Sequence, residues 1–181
     1  SEVLIYYILK YMDRTKFEAG LVCFANGELL NDLPKDIPVF QVPGKFNLKQ
    51  KIAFHLGFHP VTRALKKIHE DFKADLWYIN TIMLADVVKL ASELHIPTIT
   101  HVHELSNMYS QIFGTEFKTI VEQSDMIIGC SDIVKKCMEE SGAKRVERLY
   151  NFVDFEEIKP DKSRVAAIRQ EWGATPEDFV W

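Results

Sequence analysis

Cysteine is scarce in this chain of 181 residues: Cys23, Cys130 and Cys137 are too few and too scattered for a disulfide framework or a Cys-x-x-Cys metal site. A reducing compartment is the economical reading. Long apolar runs are missing too; the longest, Val3 to Leu9, is far below the roughly 18 residues that a membrane-spanning helix needs. The first residues show no signal-peptide pattern. Basic charge is not in excess, the formal net charge being -4, so nothing points to nucleic acid as a partner. Glycine signatures are absent as well. The eight glycines never fall at the G-x-G-x-x-G spacing of a dinucleotide-binding turn. Gly44-Lys45 is followed by Phe46 and lacks a glycine five residues earlier, which excludes a phosphate-binding P-loop, and Gly129-Cys130-Ser131-Asp132 is no nucleophile elbow.

What is present describes a globular domain. Hydrophobic residues at 47% and charged residues at 27% are the balance of a folded, water-exposed protein, and the length suffices for one domain, or one plus part of a second. The chain opens at Ser1 without an initiator Met, inside a helical pattern, and stops at Asp178-Phe179-Val180-Trp181, which reads as the first residues of a strand. Truncation at both ends is therefore expected.

Ser1 to Asp13 is apolar on almost every side, as suits a helix packed between layers. Short apolar runs follow at Leu21–Ala25, Ile37–Val42, Leu76–Ile79, Thr98–Val102, Met126–Gly129 and Val146–Tyr150, with a brief helical turn at Glu28–Leu33. These runs are continuous and do not alternate, which marks strands covered on both faces. Between them lie segments of 3.6-residue period: Met83, Val87, Leu90 and Leu94 in one, Ile133, Cys137 and Met138 in another, the latter capped by Ser131 and ended by Gly142. Strands that alternate with helices at this spacing predict a Rossmann-like α/β fold with a doubly wound, mainly parallel sheet. Function then collects at the C-terminal ends of the strands: Asn80-Thr81, His101 to Glu104, and Cys130-Ser131. Asn151 to Pro160 lacks a period, and Asp161 to Trp172 resumes one before Gly173. The expected organisation is a domain over 1–150 and, over 151–181, a linker with the start of a second domain.

His101-x-His103-Glu104 is the densest polar cluster. Residues two apart on a strand share a face, so both imidazoles could grip one metal, but the sequence places no further ligand and no metal is expected. Alternatively one histidine bonds within the core while the other caps a loop. In the third reading, to which most weight falls, His103 points into the crevice and hydrogen-bonds a polar or phosphorylated ligand. Pro43 to Lys67 carries Lys45, Lys49, Lys51, Arg63, Lys66 and Lys67 with no acidic residue, interleaved with Phe46, Ile52, Phe54, Leu56 and Phe58. Such a segment suits an anionic membrane surface or an anionic acceptor, or is simply a solvated helix face.

Taken in order, Asn80-Thr81, Ile96-Pro97-Thr98-Ile99-Thr100-His101-Val102-His103-Glu104-Leu105, Ser124 to Ser131, and Asn151-Phe152-Val153-Asp154 with Pro160 after it resemble the N-terminal domain of GT-B glycosyltransferases of the retaining family 4 type. The resemblance implies that His103 is the catalytic histidine facing the cleft near the donor sugar and its phosphates. It makes Asn80, Thr81, His101, Glu104, Ser131 and Glu2 substrate-binding residues, Glu2 standing at the end of a Gly-Gly-x-Glu loop. Asn151 and Asp154 become hinge positions, with Phe152 where glycine is usual. Lys49, Lys51, Arg63, Lys66 and Lys67 form a surface for membrane or acceptor. The implied activity is that of a hexosyltransferase of polysaccharide biosynthesis, moving a sugar from a nucleotide sugar to a glycan or lipid-linked acceptor. No cofactor or metal is implied, and the location is cytoplasmic, with peripheral attachment to the inner face of the membrane as an extension. The chain would be the acceptor-side half, inactive alone. A nucleotide-sugar 2-epimerase half and a non-catalytic flavodoxin-like binding module are the alternatives; a receiver module would need an acidic cluster at a strand end, which is missing.

Overall fold

In the computed structural model of the chain, residues 2–42, 59–112, 114–157, 161–175 and 177–179 are described. The stretch 43–58, and with it Lys45, Lys49 and Lys51, lies outside the described residues. The chain divides into two units, residues 1–151 and 152–181.

The first unit is an α/β structure whose strands pair in parallel. Helix α1 (Glu2–Tyr11) precedes strand β1 (Leu21–Cys23), a single 3-10 turn over Glu28–Asn31, and β2 (Val39–Gln41). Helix α2 (Pro60–Phe72) leads to β3 (Trp77–Ile79), α3 (Ala85–Glu93) to β4 (Thr98–Val102), and α4 (Ser106–Ile112) with α5 (Gly114–Gln123) to β5 (Met126–Gly129). Helix α6 (Asp132–Glu140) and β6 (Val146–Arg148) complete it. Hydrogen bonding among the described residues sorts the strands into a β1–β2 pair and a four-stranded sheet in the order β3-β4-β5-β6. Every neighbour in the larger sheet is parallel and reached through a helix, the Rossmann-like winding that alternating apolar runs dictate.

Burial grades with position in the sheet. The central strands β4 and β5 are almost wholly buried. The expectation that every strand is covered on both faces fails at β2, where Val39 is exposed, and at β6, where Glu147 and Arg148 are. Among the described residues both stand at an edge of their sets, with a pairing partner on one side. Buried threonines at the start of β4 are satisfied by the turn before β5. The Thr98 N–H donates to Asp125 Oδ2 at 2.9 Å, and the hydroxyls of Thr100 and Ser124 share a hydrogen bond of 2.8 Å. That is why polar residues occupy an otherwise apolar core.

Helices close the core from their apolar stripes. Leu65 of α2, Val88 and Leu90 of α3, Ile120 and Val121 of α5, and Val134 and Met138 of α6 join Ile82, Val102 and Ile127 in one cluster. Two periodic positions behave differently from expectation. Met83 is exposed because α3 begins only at Ala85; the Met83 N–H is taken by Thr81 Oγ1 at 3.1 Å, a turn that sends Ile82 into the core instead. Ile133 is 68% exposed, since the capped start of α6 turns Val134 and Met138 inward. Ser131 caps that helix by accepting from the Val134 N–H, and Gly142 follows it with φ +90°.

The second unit holds helix α7 (Lys162–Glu171), whose N-cap Asp161 accepts from the Ser163 N–H and which Gly173 follows at φ +66°. Asp154 accepts from the Glu156 N–H at 2.8 Å, closing a turn on itself.

Gly129, where β5 gives way to α6, sits against the helix backbone. A Cβ there would lie 2.7 Å from the Lys135 nitrogen and 3.0 Å from its Cα, so the helix start would have to move. Gly129→Ala is therefore expected to cost about 1–3 kcal/mol, read from the urea midpoint of unfolding. Gly27→Ala, where nothing stands within 4 Å, serves as the near-neutral control. Equal midpoints for the two would mean that α6 is not seated on Gly129.

Candidate active site

The register of β3 against β4 determines which side chains meet at the C-terminal end of the sheet. Trp77 lies opposite Thr98 and Ile79 opposite Thr100. Three side-chain bonds then link the two strand ends on a diagonal, each joining residues 23 apart. The Tyr78 hydroxyl and His101 Nδ1 share a hydrogen bond of 2.6 Å. His103 Nε2 donates to Asn80 Oδ1 at 3.0 Å, and Thr81 Oγ1 donates to Glu104 Oε1 at 2.6 Å.

The first two bonds alternate with the pleat and so share one face. His101 and His103 lie with ring centroids 4.1 Å apart and planes 35° apart. His101 is completely buried, and burial, with His103 beside it, pushes its pKa down to about 4. It is a neutral histidine of the core, bonded to Tyr78. His103 is only half-buried at the strand mouth. Burial lowers its pKa as well, opposed by Glu104, by a hydrogen bond with the Asn151 side chain, and by the Glu2 carboxylate. Glu2, Asn80, Glu104 and Asn151 thus gather around one neutral imidazole.

Glu104 is engaged by the chain itself. Its carboxylate accepts from Thr81 Oγ1 and, at 3.0 Å, from the His103 N–H, while the Tyr109 hydroxyl donates to its carbonyl at 2.6 Å. Thr81 and Glu104 therefore staple the loop after β3 to the loop after β4. Ser131 stands beyond β5 as the cap of α6. Cys130, before it, has its Sγ 3.8 Å from the His103 carbonyl. Asp154 belongs to the second unit. Arg63, Lys66 and Lys67 lie exposed on α2, Lys67 in an i,i+4 pair with Asp71 at 2.9 Å. Among the described residues no three His, Cys, Asp or Glu side chains come together as a metal site would require, and no helix is long and apolar enough to cross a membrane.

Two tyrosines of the site escaped the sequence reading. Tyr78 and Tyr109 carry no local motif, and only the strand register and the fold of α4 bring their hydroxyls to His101 and Glu104.

The parallel winding is Rossmann-like, and comparison with known proteins places it more closely, as the N-terminal half of a GT-B fold. The profile of Glycosyltransferase Family 4 matches residues 1–157, and the chain belongs to that family. The crystal structure of Anabaena Alr3699/HepE in complex with UDP-glucose is similar with a TM-score of 0.67 and 21% identity over 94% of this chain. The same protein with UDP gives 0.62 and 22%. A sucrose-phosphate synthase structure from Thermosynechococcus elongatus gives 0.53 and 12%, covering 95% of both chains. The chain spans 45% of the HepE chain. Among curated proteins nothing matches.

The depressed histidine sets a pH dependence of stability. Between the ordinary value of 6.5 and about 4, the unfolded chain binds a proton at His101 that the folded chain refuses. Stability is thus full above the upper value and falls as pH drops toward the lower, His103 adding in the same sense. His101→Asn should flatten that fall, measured as the loss of unfolding midpoint from about pH 7 to about pH 5. Parallel losses in the two proteins would mean that His101 is not buried neutral.

Proposed function

We propose that the chain is the acceptor-side domain of a glycosyltransferase that moves a sugar from a nucleotide sugar to a glycan or lipid-linked acceptor, as in polysaccharide biosynthesis. Residues 1–150 form that domain, and 151–181 carry the hinge and the beginning of the donor-binding half. The observation that carries the reading is His103, held at the mouth of β4 by Asn80 and ringed by Glu2, Glu104 and Asn151, in a chain of Glycosyltransferase Family 4. The HepE complexes with UDP-glucose and UDP support a nucleotide sugar as the donor.

Transfer of a glycosyl group builds oxocarbenium character on the sugar and negative charge on the departing diphosphate. A neutral imidazole contributes to this by orientation and hydrogen bonding and adds no cation. The charge that stabilises the leaving group then has to come from the donor-binding half, so the domain alone is expected to be inactive. Closure of the two halves about Asn151 and Asp154 would complete the site. Soluble turnover in the cytoplasm fits this scheme, with α2 as a contact to the inner membrane face.

The test is a panel of nucleotide sugars, UDP-glucose first, offered to the full-length protein with binding and nucleotide release as readouts. His103→Ala is expected to lower turnover about a hundredfold. A full-length protein that binds and consumes no nucleotide sugar overturns the reading, and unchanged turnover removes His103 from the site.

For the membrane contact, Lys66→Gln with Lys67→Gln should weaken binding to vesicles containing phosphatidylserine by about fivefold or more, neutral vesicles serving as control. Equal binding would leave α2 as a solvated face.

A further inference from the structure

The bond between Tyr78 and His101 has no part in the reading above, yet it lies directly behind the residue on which that reading turns. Tyr78 is in the middle of β3 and His101 is one residue from the end of β4. Their rings meet edge to face, with centroids 6.0 Å apart and planes at 90°. The His103 ring lies against that of His101, with centroids 4.1 Å apart. His103 is in turn tied to Asn80 through Nε2 and to Glu104 through its main-chain N–H. An amide oxygen only accepts, so the bond to Asn80 requires the proton on Nε2 and leaves Nδ1 bare. The bond to Asn80 holds the proton on Nε2, and if the His103 ring turned out of its plane against His101 it would lose that bond and with it the preference for the Nε2–H tautomer. His101 cannot give way, being wholly buried and held by Tyr78.

Stability does not account for an imidazole at position 101. Its Nε2 is buried with no hydrogen-bond partner among the described residues, an arrangement that costs free energy which an apolar side chain of similar size would avoid. What the imidazole provides and a leucine would not is a flat ring locked in one orientation by a hydrogen bond at Nδ1. We infer that Tyr78 and His101 are positioning residues for His103: Tyr78 anchors His101, and the His101 ring fixes the plane of His103 and keeps it in the Nε2–H tautomer bonded to Asn80. The inference rests on the glycosyltransferase reading for its kinetic consequence alone.

The experiment uses full-length protein labelled with 15N-histidine, in which the ring-nitrogen shifts of His103 report its tautomer, together with UDP release from UDP-glucose. Tyr78→Phe keeps the ring and removes the hydroxyl; His101→Asn keeps a hydrogen-bonding group for Tyr78 and removes the stacking face. The wild type should show one Nε2–H tautomer and both variants a mixture. Tyr78→Phe should lower kcat about tenfold and His101→Asn about a hundredfold, with KM for UDP-glucose changed less than about twofold. A single unchanged tautomer with unchanged kcat in Tyr78→Phe overturns the inference. So does a raised KM at constant kcat, which would make Tyr78 part of the binding surface. If the wild type releases no UDP from any nucleotide sugar, the glycosyltransferase reading fails, and the tautomer comparison still decides the roles of Tyr78 and His101.

Discussion

Parallel pairing of β3 with β4 is the constraint on which the site depends. Because Trp77 is held opposite Thr98 and Ile79 opposite Thr100, the residues that follow emerge side by side at the sheet's C-terminal end. From there the diagonal bonds Tyr78 to His101, Asn80 to His103 and Thr81 to Glu104 follow with a constant separation of 23 residues. A slip of one residue would turn every one of these side chains to the other face and dissolve all three contacts together. The buried Thr98 and Thr100, bonded to Asp125 and Ser124, hold the opposite end of β4 and so guard the same register.

The electrostatics of the site follow from depth along one strand. His101 and His103 are two residues apart on one face, yet the first is enclosed and neutral while the second reaches the rim, where Glu2, Glu104 and Asn151 counter part of its desolvation. Two adjacent imidazoles could not both be charged at this spacing without strong repulsion. The outer histidine is therefore a polar group whose charged form is disfavoured.

Much of this was legible in the sequence. Continuous apolar runs marked β4 and β5 to the residue, Ser131 and Gly142 bracketed α6, and His103 stood out as the polar residue at a strand end. Edge strands were less legible, because nothing in the residue type of Val39 marks it as exposed; its place at the edge of the β1–β2 pair among the described residues does. Met83 and Ile133 fit a 3.6-residue period on paper, but where a helix starts and which stripe faces inward depend on caps and turns such as the Thr81 bond to Met83. What holds the Glu104 carboxylate was not legible, because its donors are Thr81, more than twenty positions away, and its own neighbour His103.

The sequence by itself determined the class of the protein: alternating strand and helix periods, the absence of dinucleotide and P-loop glycines, and the ordered motifs of Glycosyltransferase Family 4. Tertiary structure alone decided which polar residues bond to one another and how deeply each is buried. Local sequence encodes periodicity and caps, whereas the pairing of Tyr78 with His101, and of Thr81 with Glu104, is a property of strand register. Register is set by the burial of whole strands, so no segment read alone contains it.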